Sequence, residues 1–241
     1  MSEPVIQIEG LHKRYGTNQV LRGIDLEVGH GEFFGLVGVN GAGKTTLIKC
    51  LLDFIAVEAG AARLFGIPAT DSRARAGLAF LPEKFTPPYY LTGRDFLKYM
   101  SALHGGEFPG SALRDLLGVL DLDEAALHKP VRQLSKGTAQ KLGILAALLS
   151  DRSLLILDEP MSGLDPKVRA LLKPYLLSLK ARGRTVFFST HLLHDVDALC
   201  DRLAILHGGR LAFIGSPAEC RRAFAAEDLE RAYLKCVSGS T

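Results

Sequence analysis

Residues 33–52 read FFGLVGVNGAGKTTLIKCLL. The stretch opens with a short apolar run, residues 33–37, which indicates a strand buried on both faces. The glycine-rich octet GVNGAGKT, residues 38–45, follows directly. Residues 45–52 then have the pattern of a helix. The stretch therefore predicts a strand, a loop and a helix in immediate succession.

The octet matches the pattern GxxxxGK[ST]. In this pattern the glycines allow backbone N–H groups to surround phosphates, and the start of the following helix favours an anion. Lys44 is then placed to reach the β- and γ-phosphate oxygens, and the Thr45 hydroxyl to ligate Mg²⁺. An ordinary glycine-rich turn is the alternative, but it would not require a strand before it and a helix after it. The octet predicts a nucleoside triphosphate site.

A second acidic element follows far downstream, where the apolar run 154–157 ends in Asp158 and Glu159. A carboxylate at the tip of a buried strand is the usual second Mg²⁺ element of a phosphate-loop enzyme. We expect Asp158 to hold Mg²⁺ through water and Glu159 to polarise the attacking water as a general base. The alternative is that both acids cap a helix that begins near Pro160.

Hydrophobic patterning arranges further elements around this centre. Alternating residues near the N-terminus predict an antiparallel β-rich entry, and a second apolar run after the acidic strand predicts a parallel α/β core. Gly208 and Gly209 suit a tight hairpin turn, and helices are expected from Pro217 onward. The predicted strands are 5–9, 21–28, 33–37, 154–157, 185–189, 203–207 and 210–214, and the predicted helices are 94–104, 111–122, 135–150 and 167–182.

Composition excludes several classes of protein. The chain has 241 residues, 47% of them hydrophobic and 23% charged, which fits one unit of two subdomains with a real core. Its apolar runs are far shorter than the roughly 20 residues that span a bilayer. The N-terminus lacks the pattern of a secretory signal, so we expect a cytoplasmic protein. A net charge of +3 without basic runs argues against a nucleic-acid partner. The cysteines lack metal-site spacing; they are Cys50, Cys200, Cys220 and Cys236.

The heptapeptide LSKGTAQ, residues 134–140, precedes the acidic strand. It resembles the signature motif of ABC transporter ATPases. Other elements similar to that family's appear in order along nearly the whole chain: SGLD at residues 162–165 resembles the D-loop, His191 the switch histidine, and Tyr15 the aromatic residue that stacks on adenine. Together they identify the chain as a member of the ABC family, with ATP and Mg²⁺ as cofactors.

The resemblance implies the ABC ATPase fold, an α/β P-loop NTPase core with a mostly parallel sheet, an N-terminal antiparallel β subdomain and an inserted α-helical subdomain. One domain, 1–241, would divide into the core with its β subdomain at 1–84 and 151–241 and the helical signature subdomain at 85–150. The implied catalytic residues are Lys44, Glu159 and His191, and the implied Mg²⁺ ligands are Thr45, Glu83 and Asp158. The implied nucleotide contacts are Tyr15, Gly38, Asn40, Gly41, Ala42, Gly43, Lys44, Thr45, Thr46, Glu83, Ser135, Gly137, Asp165 and His191.

In this family the signature faces the phosphate loop of a second copy. The resemblance therefore implies a dimer, a homodimer by default, in which each ATP is sandwiched between two subunits. The start of the helix at residues 135–150 would offer unpaired N–H groups and a positive dipole end to that nucleotide. Ser135 and the Gly137 backbone would donate to its phosphate oxygens.

The chain departs from the family pattern at three positions. Lys136 replaces the usual glycine of the signature, and we expect it to point to solvent. Thr138 stands where glutamine is usual. Glu83 replaces the usual glutamine of the coupling loop; a carboxylate is a competent Mg²⁺ ligand, but it changes the charge near the γ-phosphate.

These variants resemble the ATPases of exporters with separately encoded membrane subunits. Such a protein would be peripheral on the inner face of the cell membrane, bound to integral-membrane permease subunits. The segment 85–91 either docks such a subunit or packs under the first inserted helix. A different class also stays open, a soluble ABC-type ATPase that acts as a scaffold or assembly motor. The transported substrate lies outside this sequence.

Overall fold

The computed structural model describes residues 3–106 and 108–239. Its strands form one sheet of four strands and one of six. The strands are β1 (Ile6–Tyr15), β2 (Asn18–Val28), β3 (Phe33–Val37), β4 (Ala59–Leu64), β5 (Ile67–Pro68), β6 (Leu78–Leu81), β7 (Leu154–Asp158), β8 (Thr185–Thr190), β9 (Arg202–His207) and β10 (Arg210–Gly215).

The larger sheet carries the predicted phosphate loop and acidic strand. Its order is β10-β9-β3-β8-β7-β6, and all neighbours are parallel except the edge pair of β9 and β10. The smaller sheet, β2-β1-β4-β5, is antiparallel throughout. A parallel sheet brings the carboxyl ends of its strands to one edge, so β3, β7 and β8 all end where a ligand can meet them. The predicted α/β core and antiparallel β-rich entry are confirmed.

Helices cover the sheet and form the predicted insertion between β6 and β7. They are α1 (Lys44–Leu51), α2 (Gly93–Leu103), α3 (Gly110–Val119), α4 (Glu124–Leu127), α5 (Lys136–Leu149), α6 (Pro166–Ala181), α7 (Leu193–Leu199), α8 (Pro217–Ala223) and α9 (Leu229–Ser238), with 3₁₀ turns at Ser72–Arg75 and Val131–Gln133. Over residues 3–106 and 108–239, no helix combines the length and apolarity needed to cross a bilayer.

The core lies on both faces of the six-stranded sheet. Phe33 packs with the cluster that contains the inserted helices, whereas Phe34 packs with the cluster that contains α1 and the smaller sheet. Phe34 also stacks on Phe187 of β8, with ring centroids 5.8 Å apart. Because β3 is buried on both sides, its sequence is a continuous apolar run rather than an alternating one. Its end is thereby held rigidly beneath the loop.

The elements that the sequence did not predict have weak patterns. β4 reads AGAARL and is largely exposed, and β6 has only four residues. α7 is one short helix of seven residues. The predicted hairpin is present, and Gly208 and Gly209 have the positive φ angles, 56° and 79°, that its turn requires. These short or weakly patterned elements are stabilised by contacts with neighbouring elements, and such contacts cannot be predicted from the local sequence pattern.

Candidate active site

The phosphate loop joins β3 to α1. It requires glycine at one position because of a close contact and at another because of a positive φ angle. A Cβ at Gly38 would lie 2.7 Å from the carbonyl oxygen of Leu206, so only glycine fits beside β9. Gly43 has φ 110° and caps α1 without a side-chain bond. The first N–H groups of α1 thus receive no side-chain cap and are available to an anion.

A cleft of about 390 Å³ opens over this loop. It brings together residues from the loop, from the end of β6 and from the end of β7. The predicted site residues that line it are Asn40, Gly41, Gly43, Lys44, Thr45, Thr46, Glu83 and Glu159. Val20 of β2 also lines it and had no role in the sequence analysis.

Lys44 and Glu159 line the cleft, and both Lys44 and His191 contact the Glu159 carboxylate. Lys44 Nζ donates to the Gly38 carbonyl at 2.7 Å and lies 3.1 Å from Glu159 Oε1. The contact with Glu159 is an ion pair rather than an aligned hydrogen bond, because Oε1 has no hydrogen-bond partner. His191 Nδ1 lies 2.9 Å from the other oxygen, Oε2. The Glu159 carboxylate is therefore held between a cation and an imidazole.

Glu159 has a strained backbone. Its φ of 50° is uncommon for a residue with a side chain, and such conformations persist only where neighbours hold them. The Glu159 N–H donates to the Ser189 carbonyl at 3.2 Å and lies 3.0 Å from the Ser189 hydroxyl oxygen. No helix begins near Pro160, since the next one, α6, begins at Pro166. The helix-cap interpretation of Asp158 and Glu159 is therefore wrong.

Asp158 lies at the end of β7, 1% exposed. Its Oδ1 accepts a hydrogen bond from Ser189 Oγ, while its Oδ2 is buried with no hydrogen-bond partner. A buried carboxylate oxygen without a donor is costly unless a cation or water satisfies it. Thr45, Glu83 and Asp158 line a neighbouring cavity of about 580 Å³. This set of hard oxygen ligands fits Mg²⁺.

The described side chains do not complete a metal site by themselves, since no group of three His, Cys, Asp or Glu among them is arranged to hold an ion. Mg²⁺ characteristically binds through one or two carboxylates together with waters and substrate phosphates. The incomplete protein shell and the adjacent phosphate loop therefore suit a cation that arrives with a nucleotide.

Ser189 was missed by the sequence analysis. It is fully buried at the end of β8, directly opposite Asp158 in the register of β7 and β8. The feature of the sequence that could have indicated Ser189 is a hydroxyl residue near the end of an apolar strand, two positions before the candidate histidine.

Seven predicted contacts line neither of the two cavities: Tyr15, Gly38, Ala42, Ser135, Gly137, Asp165 and His191. Tyr15 is 48% exposed at the end of β1, with Lys13 Nζ 5.2 Å from its ring centroid. Ser135 caps α5 by accepting from the Thr138 N–H at 3.1 Å. Lys136 is exposed to solvent, as the sequence analysis expects.

Gly137 lies near the segment 162–165, which ends in Asp165. Neither Gly137 nor Asp165 lines the phosphate-loop cleft. A Cβ at Gly137 would lie 3.5 Å from the Gly163 carbonyl oxygen. Asp165 caps α6, accepting from the Val168 N–H at 2.9 Å. That hydrogen bond, with a smaller contribution from Lys141, holds the pKa of Asp165 below its ordinary value. The signature and D-loop segments therefore form one surface.

The packing interpretation of segment 85–91 describes its start, and docking of a membrane subunit stays a prediction for the rest. Phe85 packs edge-on against Phe96 of α2, with centroids 5.5 Å apart. Tyr89 and Tyr90 instead are 67% and 71% exposed. The start of the segment is thus anchored under the inserted helices, while two aromatic rings face outward.

The strand–loop–helix anion site and the carboxylate-tipped strand beside it define the class of P-loop nucleoside triphosphatases. Residues 21–162 match the ABC transporter family. A solved structure of the ATP binding subunit of an ABC transporter superposes with a TM-score of 0.89 at 31% identity, covering 96% of this chain and 99% of that one. The chain belongs to the ABC transporter family of ATP-binding proteins and has the ABC ATPase fold.

Curated relatives agree with this assignment. An uncharacterised ABC transporter ATP-binding protein of Nostoc sp. is 43% identical over 88% of this chain and 66% of its own length. The Nod factor export ATP-binding protein I of Ralstonia nicotianae is 36% identical over 90% and 69%, and a fluoroquinolones export ATP-binding protein of Mycobacterium tuberculosis is 38% identical over 90% and 72%. The chain spans 66% and 57% of the lengths of its Nostoc and Synechocystis relatives.

Proposed function

We propose that this chain binds MgATP and hydrolyses it as the energy-supplying subunit of an ABC exporter. The observation that carries the proposal is that Glu159, in the phosphate-loop cleft, contacts both Lys44 of the loop and His191. A cation for the phosphates, a carboxylate for the attacking water and an imidazole for the γ-phosphate are the groups that phosphoryl transfer to water requires.

The loop residues and Lys44 bind the phosphates, and Tyr15 stacks on the adenine ring. Thr45, Glu83 and Asp158 would hold Mg²⁺. When bound, the cation would neutralise charge that develops on the phosphate oxygens. The cleft lining and the unsatisfied Asp158 Oδ2 support the phosphate and Mg²⁺ assignments, whereas the Tyr15 assignment rests on the family resemblance.

Lys44 changes partner when a nucleotide enters. The Lys44 ammonium group lies 3.1 Å from Glu159 Oε1, in the cleft that the phosphates would enter. A triphosphate carries more negative charge than one carboxylate and lies closer to the loop N–H groups, so it draws Lys44 away. Glu159 is then left with His191, free to accept a proton from water.

A second copy of the chain completes the site. Ser135, Gly137 and Asp165 lie outside the cleft of their own chain, yet Ser135 and Lys136 at the start of α5 are exposed. The N-terminus of α5 can therefore face the nucleotide of a partner subunit, with its dipole favouring the phosphates. In this arrangement residues 1–84 and 151–241 hold the nucleotide, and residues 85–150 carry the signature to the other subunit.

Integral-membrane permease subunits are the proposed partners for transport. Exposed Tyr89 and Tyr90, beside Glu83, offer an aromatic surface through which closure of the dimer can be transmitted. The export direction is the one for which the Ralstonia and Mycobacterium relatives are named. The protein would then sit on the inner face of the cell membrane through its partner, without contact with nucleic acid.

The test is ATP hydrolysis by the purified chain, measured as phosphate release with Mg²⁺ and with a chelator. We expect turnover that requires Mg²⁺ and that disappears in Lys44→Met because the phosphates lose their cation. Purification of the tagged chain from native membranes should also recover an integral-membrane protein. Hydrolysis without such a partner would favour a soluble assembly motor, and absence of Mg²⁺-dependent hydrolysis from both preparations would refute the proposal.

A further inference from the structure

We propose that Ser189 is a positioning residue, whose hydroxyl orients the Asp158 carboxylate so that one oxygen is held by the protein and the other is presented to Mg²⁺. The inference rests on the proposed function, because it concerns the same MgATP site. Ser189 itself lies behind Asp158, away from both cavities.

The sheet fixes where Ser189 stands. β8 lies between β3 and β7, and Ser189 pairs with Leu36 on one side and with Asp158 on the other. Its side chain is fully buried, so no solvent competes for its hydroxyl. Ser189 therefore stands on the strand between the one that carries the phosphate loop and the one that carries the acidic tip, and its hydroxyl bonds to the acidic tip.

The Ser189 hydroxyl forms its hydrogen bonds with residues of the proposed site. A serine hydroxyl has one proton to donate and two lone pairs to accept. Ser189 donates its proton to Asp158 Oδ1 and accepts from the Glu159 N–H at 3.0 Å. The orientation of the hydroxyl is thus determined from both sides, and it links the proposed metal ligand to the proposed general base.

The consequence for Asp158 is an asymmetric carboxylate. Oδ1 is occupied by Ser189, and Oδ2 is buried without a hydrogen-bond partner. The torsion that turns a carboxylate is broad and nearly two-fold, so a hydrogen bond to one oxygen is what fixes its plane. Groups that orient a metal-binding side chain from behind commonly matter almost as much as the ligand itself.

The Ser189→Ala variant removes this hydroxyl. It takes away the donor to Oδ1 and one of the two acceptors of the Glu159 N–H, but leaves the Ser189 carbonyl in its 3.2 Å bond with that N–H. Alanine also fits any space that serine fills. The backbone of β7 and β8 should therefore stay paired, and the Asp158 carboxylate should lose its orientation.

The experiment is binding of a fluorescent, non-hydrolysable ATP analogue by the full chain at increasing Mg²⁺ concentration and in a chelator. For Ser189→Ala we expect the Mg²⁺ concentration at half-maximal tight binding to rise about tenfold. Binding of the analogue in the chelator should not change, since the loop and Lys44 are untouched. Ser189→Thr, which keeps the hydroxyl, should restore the parental Mg²⁺ midpoint.

Thr185→Val is the matched control. Thr185 is 2% exposed on the same strand, and its hydroxyl accepts from the Gly31 N–H at 2.9 Å, far from the acidic tip. It should leave the Mg²⁺ midpoint unchanged even if it lowers stability. An unchanged midpoint in Ser189→Ala would overturn the inference, as would equal weakening in the chelator or an equal shift in Thr185→Val. Absence of Mg²⁺-dependent binding in the parental chain would instead refute the proposed function.

Discussion

A lysine, a buried carboxylate and a histidine come together in two separate regions of this molecule. At the cleft, Glu159 lies 3.1 Å from Lys44 and 2.9 Å from His191. Between α6 and α7, Asp195 lies 2.7 Å from Lys173 and 2.9 Å from His194. Both carboxylates are buried, and both histidines are about half exposed.

The two sets differ in what surrounds them. Glu159 follows a strand end with φ 50° and lines an open cleft that also holds the phosphate loop. Asp195 lies within the regular helix α7 and is fully buried against its neighbours. Lys44 and Glu159 of the first set line the phosphate-loop cleft, whereas Lys173, His194 and Asp195 line neither of the two cavities described above. The same side-chain chemistry thus lies at the proposed ATP site in one place and between two packed helices in the other.

The largest expected effect is on turnover. Glu159→Gln should lower the rate of ATP hydrolysis about 10²–10⁴-fold, because the general base is lost while the side chain keeps its shape. Nucleotide binding should persist and trap a closed dimer, visible by size-exclusion chromatography with ATP. Asp195→Asn, the counterpart in the other set, should hydrolyse ATP at the parental rate per folded molecule. Parental turnover in Glu159→Gln would remove the base assignment.

The next effect is on stability, and here the larger loss should occur in the Asp195 set rather than in the Glu159 set. Lys173→Met leaves Asp195 as an uncompensated buried charge, so we expect a loss of about 3–5 kcal/mol in the free energy of unfolding. Lys44→Met leaves Glu159 beside an open cleft that water can enter, so its loss should be clearly smaller. Urea denaturation of both variants measures the difference. Equal losses would mean that the cleft does not relieve the charge.

A smaller effect separates the histidines. His191→Ala should slow hydrolysis about 10²-fold with little change in nucleotide affinity, because the imidazole acts on the γ-phosphate and on Glu159. His194→Ala removes an imidazole at the same 2.9 Å distance from a carboxylate and should leave hydrolysis unchanged. Steady-state kinetics of the pair gives both kcat and KM. If both variants slowed equally, His191 would be a packing residue.

The smallest effect concerns Glu83, which lines both cavities near the carboxylates. Glu83→Gln removes one negative charge beside the proposed cation, so hydrolysis should require more Mg²⁺ for half-maximal rate. Lys84→Gln is the control, because it removes a positive charge at the next residue instead of a negative one. A Mg²⁺ requirement unaffected by Glu83→Gln would show that this carboxylate does not contact the cation.

Much of the cleft could be predicted because its signals are local. The phosphate loop needs glycines, a lysine and a threonine at fixed spacing along one strand–loop–helix, and the sequence displays them together. The acidic tip at Asp158 and Glu159 is equally local. Ser189 escaped notice because its role arises from the register of β7 and β8, which joins residues 31 positions apart.

Sequence reasoning also could not separate the two carboxylate sets. His194 and Asp195 are neighbours in the chain and resemble an active-site pair more than His191 and Glu159 do, which lie 32 positions apart. Only the ordered family motifs pointed to His191. The partner of each carboxylate, Lys44 or Lys173, depends on which helix packs against it.

By itself, the sequence determined the class of site and the α/β order of elements, since backbone conformation at glycines and the apolar pattern of buried strands are written in adjacent residues. The tertiary structure alone decided that Lys44 lies on Glu159, that Ser189 holds Asp158 and that the signature lies outside its own cleft. These are contacts between distant parts of the chain, and they exist only once the parallel sheet has brought its strand ends to one edge.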